Sequence, residues 1–155
     1  MRARKAAHLR VQDVMTPNVR SCSPDTTLSV AAAIMWEGDC GVLPVVENGK
    51  LAGIITDRDI CIALGTQDRL PHTVPVRDAE TTAVMTCTPE DELRHALQIM
   101  RHHKVRRVPV VDAEQHLRGI VSLNDIVLRA DGAHSNELSY DEVMKTMKAV
   151  CAHRS

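Results

Sequence analysis

The chain has 155 residues, 44% of them apolar, and a formal net charge of −1, a profile that suits one ordinary domain or two small halves sharing a core. It leaves no room for a separate catalytic domain, is too apolar for intrinsic disorder, and is too near neutrality for a strongly charged nucleic-acid binder. With no Phe, one Trp and one Tyr, the core must come from Val, Ile, Leu, Met and Ala, and aromatic platforms for stacking bases are nearly lacking.

Met1 to Arg10 is basic, but polar and helix-breaking residues follow it where a signal peptide would carry an apolar run. No segment is long and apolar enough to span a bilayer. Cys22, Cys40, Cys61, Cys87 and Cys151 form no CxxC pair. They read as buried small hydrophobes in a reducing, cytoplasmic setting, with redox sensing by Cys22 and Cys40 a lesser alternative.

In chain order, a short extended segment at Val19 to Cys22 is expected to form a strand. Leu28, Ala31, Ala32 and Met35 then fall at i, i+3, i+4, i+7 on one helical face. Val42 to Glu47 and Leu51 to Thr56 are β-branched runs joined through Asn48-Gly49, a strong hairpin signal. A short helix is expected over Asp57 to Leu64, followed by linker composition from Gly65 to Pro75. The pattern then repeats. An extended segment at Val84 to Cys87 precedes a helix with Leu93, Ala96, Leu97 and Met100 on one face; Val108 to Asp112 and Leu117 to Ser122 flank a polar turn; a helix follows over Leu123 to Ala130. Asn136 to His153, with Leu138, Val143, Met147 and Val150 as an apolar stripe, reads as an amphipathic helix that packs over a neighbouring face, ahead of the alternative that it docks a partner.

Laid on itself with a shift of 65 residues, the chain matches: Ser21-Cys22-Ser23-Pro24 falls on Thr86-Cys87-Thr88-Pro89, and Leu43-Pro44-Val45-Val46 on Val108-Pro109-Val110-Val111. One inserted residue then aligns Gly53-Ile54-Ile55-Thr56 with Gly119-Ile120-Val121-Ser122. The fold class is α+β, a β-α-β-β-α unit used twice: residues 9–65 and 76–131, joined by a linker at 66–75 and followed by a helical extension over 134–155.

Across about residues 9 to 130 the chain resembles the CBS domain family. The residues that carry the resemblance are Val11-Gln12-Asp13-Val14-Met15-Thr16-Pro17, Leu43-Pro44-Val45-Val46 and Gly53-Ile54-Ile55-Thr56-Asp57-Arg58-Asp59 in the first half. In the second they are His103 to Val111 and Gly119-Ile120-Val121-Ser122-Leu123-Asn124-Asp125. Where the first half has Met15-Thr16-Pro17 the second has Glu80-Thr81-Thr82, a different lip for one cleft. The resemblance implies two repeats about a pseudo-two-fold axis, two clefts that take AMP, ADP or ATP (S-adenosylmethionine or NAD in some members), and pairs that form homodimers. It also implies a regulatory sensor signalling to a separate effector protein, with no enzymatic activity of its own.

Thr56-x-x-Asp59 and Ser122-x-x-Asp125 each sit where a strand gives way to a helix. There, backbone N–H groups and the dipole favour a phosphate, and an aspartate one turn in can accept from ribose hydroxyls. The same spacing is also that of a capping box, which needs no ligand. The resemblance adds Thr16, Pro17 and Val19, with Thr81, Thr82 and Val84, as the lining of the adenine pockets. Arg58 is placed to meet phosphate, and its equivalent is the neutral Asn124. Arg106 and Arg107 belong to the one basic cluster, Arg101 to Arg107; either they cap a solvated helix end or one of them points to a phosphate, and nucleic acid is the least favoured use. No spacing resembles a zinc motif, so no metal is expected. No base stands beside an activated Ser or Cys. The reading with empty clefts, a ligand-free module for protein interaction, is the alternative.

Overall fold

The computed structural model describes residues 8–130 and 138–152. Its elements are β1 (Thr16–Pro17), α1 (Leu28–Glu37), β2 (Val42–Glu47), β3 (Lys50–Thr56), α2 (Asp57–Gln67), α3 (Leu93–His103), β4 (Arg107–Val111), β5 (Leu117–Ser122), α4 (Leu123–Arg129) and α5 (Tyr140–Cys151). This is the mixed α+β composition expected. The chain divides into two compact units, one holding residues 18–84 and 113–117, the other the described part of residues 1–17, 85–112 and 118–155.

In the first of these, β2 and β3 pair antiparallel through Asn48 and Gly49, both at positive φ (52° and 78°). Those dihedrals suit a two-residue hairpin whose twist matches its strands, which is why Asn-Gly announces it. The register shifts after Val45, which faces Gly53, so that Val46 faces Leu51; Ala52 is the extra residue of a bulge. Leu28, Ala31 and Met35 of α1 pack with Leu43, Val45 and Ile55. Ala32, on the same expected stripe, is exposed together with Val30 and Trp36, so this helix buries a narrower face than its apolar content offers. The end of the stretch of linker composition is built into this core: Val74 within it and Val76 just after it are fully buried, and Leu28 N–H donates to Val74 O at 2.9 Å. Two valines outweigh the surrounding Gly, Pro and polar residues because each removes a branched side chain from water.

In the other unit, β5 is hydrogen-bonded to β1 on one side and β4 on the other. Leu93, Ala96, Leu97 and Met100 of α3 are all buried, as their spacing predicts. α5 packs on α3 and α4, burying Leu138 and Val143 with Met147 and Val150 at the margin. Arg94 Nε stands 3.6 Å from Glu142 Oε2 across that contact. The helix therefore serves as a packing element. Asn136 and His153, the ends that the sequence suggests for it, lie outside the described residues.

The two extended segments expected ahead of α1 and α3 are reduced to single bridges, Cys22 to Val45 and Cys87 to Val110. Pro24 and Pro89 follow two residues later, and their missing N–H groups stop a longer ladder. The cysteines divide. Cys22 and Cys87 are buried, Cys40 is half-buried, and Cys61 and Cys151 are exposed, against the reading of all five as core residues. Cys61 falls on the outer side of α2 between the buried Ile60 and Ala63, where helical phase decides exposure.

Candidate functional site

Each unit holds one copy of the Thr/Ser-x-x-Asp signature at a strand-to-helix junction. In the unit of residues 18–84, Thr56 ends β3 and caps α2. Asp59 Oδ2 accepts from Thr56 N–H at 2.9 Å and from Thr56 Oγ1 at 2.7 Å, while Asp59 N–H donates back to Thr56 Oγ1 at 3.1 Å. The capping box is complete. The other early N–H groups of α2 are also engaged, Asp57 N–H with Gly41 O at 3.1 Å and Arg58 N–H with Asp57 Oδ1 at 2.7 Å.

The second signature is built alike and left more open. Ser122 Oγ donates to Asp125 Oδ2 at 2.7 Å and accepts from Asp125 N–H at 3.1 Å. Leu123 N–H donates to Arg106 O at 2.8 Å, so Arg106 stands beside the start of α4, and Arg107 follows it, exposed, as the first residue of β4. Leu123 occupies the position of Asp57, so no carboxylate at that position reaches the second N–H of α4. Arg58 and Asn124, the two residues contrasted for phosphate contact, are both exposed on the first turns of their helices.

The lips come from the opposite halves of the sequence. Thr81 pairs with Ile54, their N–H and C=O groups exchanging two bonds of 2.9 Å. Ile54 lies two residues before Thr56. Thr16 pairs with Ile120, and Pro17 with Gly119, in the same relation to Ser122. The divergent Glu80-Thr81 lip thus borders the first-half signature, and Met15-Thr16-Pro17 the second-half one. Thr16, Pro17, Thr81 and Thr82 are exposed. Val19 and Val84 are half-buried, and Val84 N–H closes a local bond to Thr82 O at 3.0 Å.

Two glycines of the repeated motif make these lips possible. A Cβ on Gly119 would stand 2.5 Å from Thr16 O, and one on Gly53 would stand 2.8 Å from Thr81 O. A glycine inside a strand is the signal for such an approach, and here it recurs at equivalent points of both repeats.

Glu80 takes the place of Met15, and its carboxylate lies against Gly53, where Met15 Sδ lies 3.3 Å from the Cβ position of Gly119. Its Oε2 is buried without a hydrogen-bond partner. Burial pushes the carboxyl above its ordinary 4.5, Arg77 opposes the rise, and Glu47 adds to it. Burial chiefly, and the Glu80 charge second, lift the Cys22 thiol to about 11; burial and Asp91 lift Cys87 to about 12. Both thiols are therefore protonated at neutral pH and poor nucleophiles.

For an acid with a raised folded pKa, the folded state binds more protons than the unfolded one, so stability falls as pH climbs from about 4.5 through the folded value. Glu80→Met is expected to flatten that dependence and to stabilise the protein at neutral pH by about 1 kcal/mol, the low end for an unpaired buried polar atom because the residue is only half-buried. Thermal melts of both proteins at acid and neutral pH check this. A variant melting no higher than the parent at neutral pH contradicts it.

Two small repeats, each a strand hairpin with flanking helices and each ending a strand in a hydroxyl-x-x-aspartate cap beside a borrowed lip, define a duplicated α+β module. A family profile for the CBS domain matches residues 11–66 and 76–132. The chain belongs to the CBS domain family.

Among curated relatives it is 40% identical over 118 residues to the CBS domain-containing protein YhcV of Bacillus subtilis, covering 76% of this chain and 83% of that one. It also matches two enzymes, an inosine-5′-monophosphate dehydrogenase and a homoserine O-acetyltransferase, of which it spans only 23% and 24% of the length. Among solved structures, Hypoxic Response Protein I, with two coordinated zinc ions, superposes with a TM-score of 0.72 at 31% identity, over 79% of this chain and all of that one. CBSX2 in complex with AMP gives 0.68 at 28%, over 77% and 93%. Among the described residues no helix is long and apolar enough to cross a membrane.

Proposed function

We propose that this CBS pair is a regulatory module that binds an adenine nucleotide, of the AMP, ADP or ATP type, and passes the binding event to a separate protein. The observation that carries the reading is the duplication of one arrangement. In each unit a threonine of the lip (Thr81, Thr16) is held on the strand two residues ahead of the hydroxyl of the signature (Thr56, Ser122), with an aspartate (Asp59, Asp125) one turn on. A helix cap alone needs no lip. The AMP held by CBSX2 supports the choice of ligand. The two sites are unequal: α4 offers its start to a phosphate beside Arg106, whereas α2 carries Asp57 there, with only Arg58 to offset it. Binding is the whole activity proposed, and it regulates only as far as the ligand favours one state of the protein over another. A homodimer in the cytoplasm, acting on a distinct effector, completes the reading.

One observation favours the rival reading, a ligand-free interaction module: the capping box of Thr56 and Asp59 is closed by its own atoms. A thermal-shift screen against AMP, ADP, ATP, NAD, S-adenosylmethionine and GTP separates the two, since a ligand that binds the folded state alone raises the melting temperature with concentration. A selective rise with one adenine compound is expected. No rise with any of them transfers the case to the interaction module.

A further inference from the structure

A cavity of about 510 Å³ opens between the C-terminal end of α1 and the start of α2, lined among others by Ala32, Met35, Trp36, Asp39, Asp57 and Ile60. Its size falls among ordinary small-molecule sites, which run from about 300 to 1,000 Å³. Met35 and Ile60 are buried and supply an apolar floor, while Trp36, the sole tryptophan of the chain, is 88% exposed. Two carboxylates share the lining with it, and no lysine, arginine or histidine does.

Neither carboxylate is spent on an ion pair among the described residues. Asp57 is held in place from two sides. Its Oδ1 accepts from Arg58 N–H at 2.7 Å, and its Oδ2 packs over Gly41, where a Cβ would stand 2.8 Å away. Gly41 is thus the space that the carboxylate fills. Asp39 sits at φ 47° just past the end of α1, a left-handed conformation that Asp and Asn tolerate better than other side chains.

We propose that this cavity binds a small organic cation, an ammonium group on a short apolar stem. The chemistry is complementary in each part. An indole attracts a cation through its ring quadrupole, the two carboxylates supply opposite charge, and the buried floor takes up the stem. An anion such as a nucleotide phosphate meets two like charges there, so the cavity is distinct in its chemistry from the nucleotide site proposed at Thr56 and Asp59.

The single tryptophan provides the readout. The 155-residue chain titrated with choline is expected to show a saturable change in Trp36 emission with a Kd on the order of 1 mM. The uncharged isostere 3,3-dimethylbutan-1-ol should bind roughly tenfold more weakly or not at all. Asp39→Asn, which the left-handed backbone accepts, and Asp57→Asn are each expected to weaken choline about tenfold while the melting temperature stays within a few degrees of the parent. Trp36→Phe, followed by calorimetry, should retain weakened binding. Equal affinity for choline and its neutral isostere overturns the proposal, as does an emission unmoved by choline. So does an emission that changes with protein concentration and is indifferent to choline, which identifies the face as a contact between copies of the chain.

Discussion

Asp59→Ala combined with Asp125→Ala is expected to weaken adenine-nucleotide binding roughly hundredfold at each site, the loss that follows when two charge-assisted hydrogen bonds from ribose hydroxyls disappear. The cost to the fold should be far smaller. Thr56 and Ser122 remain as caps, each still accepting from the N–H three residues on. What goes is the return half of each motif, the carboxylate that accepts from Thr56 N–H and from both hydroxyls. A loss of about 1 kcal/mol per helix is in keeping with measured cap substitutions. The conservative pair Asp59→Asn with Asp125→Asn sharpens the comparison, because an amide oxygen preserves much of the capping role while the charge that strengthens a ribose contact is gone. Calorimetric titration beside thermal melts reads both quantities. If Ala variants lose stability but bind as the parent does, the aspartates are helix caps and nothing more, and the ribose contacts assigned to them fall.

The sequence makes the paired architecture legible because its signals are local or duplicated. Asn48-Gly49 needs only its own dihedrals to make a hairpin, and α3 needs only its own spacing to bury Leu93, Ala96, Leu97 and Met100. The signatures are legible by the same logic, since a hydroxyl and a carboxylate three residues apart close on one another within a single turn. What escaped was non-local. That Thr81 lies on Ile54 and Thr16 on Ile120 depends on which strand accepts the lip, and a self-alignment pairs each lip with its own half. The burial of Val74 inside a stretch of linker composition escaped for a related reason, because a single valine among Gly, Pro and polar residues has no period to betray it. Glu80 was visible only as a departure from Met15; its consequence, an unpartnered carboxylate against Gly53, required the strand to be in place.

The glycines beneath the lips give the second large effect. Gly119→Ala places a methyl group 2.5 Å from Thr16 O and 3.2 Å from the carbon of that carbonyl, and both are backbone atoms that move only if β1 moves. Since β1 is two residues long and has β5 as its neighbour in the sheet, the expected result is detachment of the Thr16-Pro17 lip. The destabilisation should be about 3 kcal/mol, the upper part of the range for overfilling a packed site. Gly53→Ala should do less harm. Its nearest backbone obstacle, Thr81 O, is 2.8 Å away, and the atom it meets first belongs to the flexible end of Glu80, which can swing toward water and shed its buried charge as it goes. Paired with Glu80→Met, however, the Gly53 substitution should cost as much as its counterpart, because a thioether held in the core cannot leave in that way. Urea denaturation of the two single variants and the double variant tests the order. Hydrogen exchange at the Thr16 and Ile120 amides then tells whether the lip has lifted or the whole unit has loosened. Equal losses for Gly119→Ala and Gly53→Ala, or a lip that keeps its protection in Gly119→Ala, would show that these glycines are not what lets the lips approach.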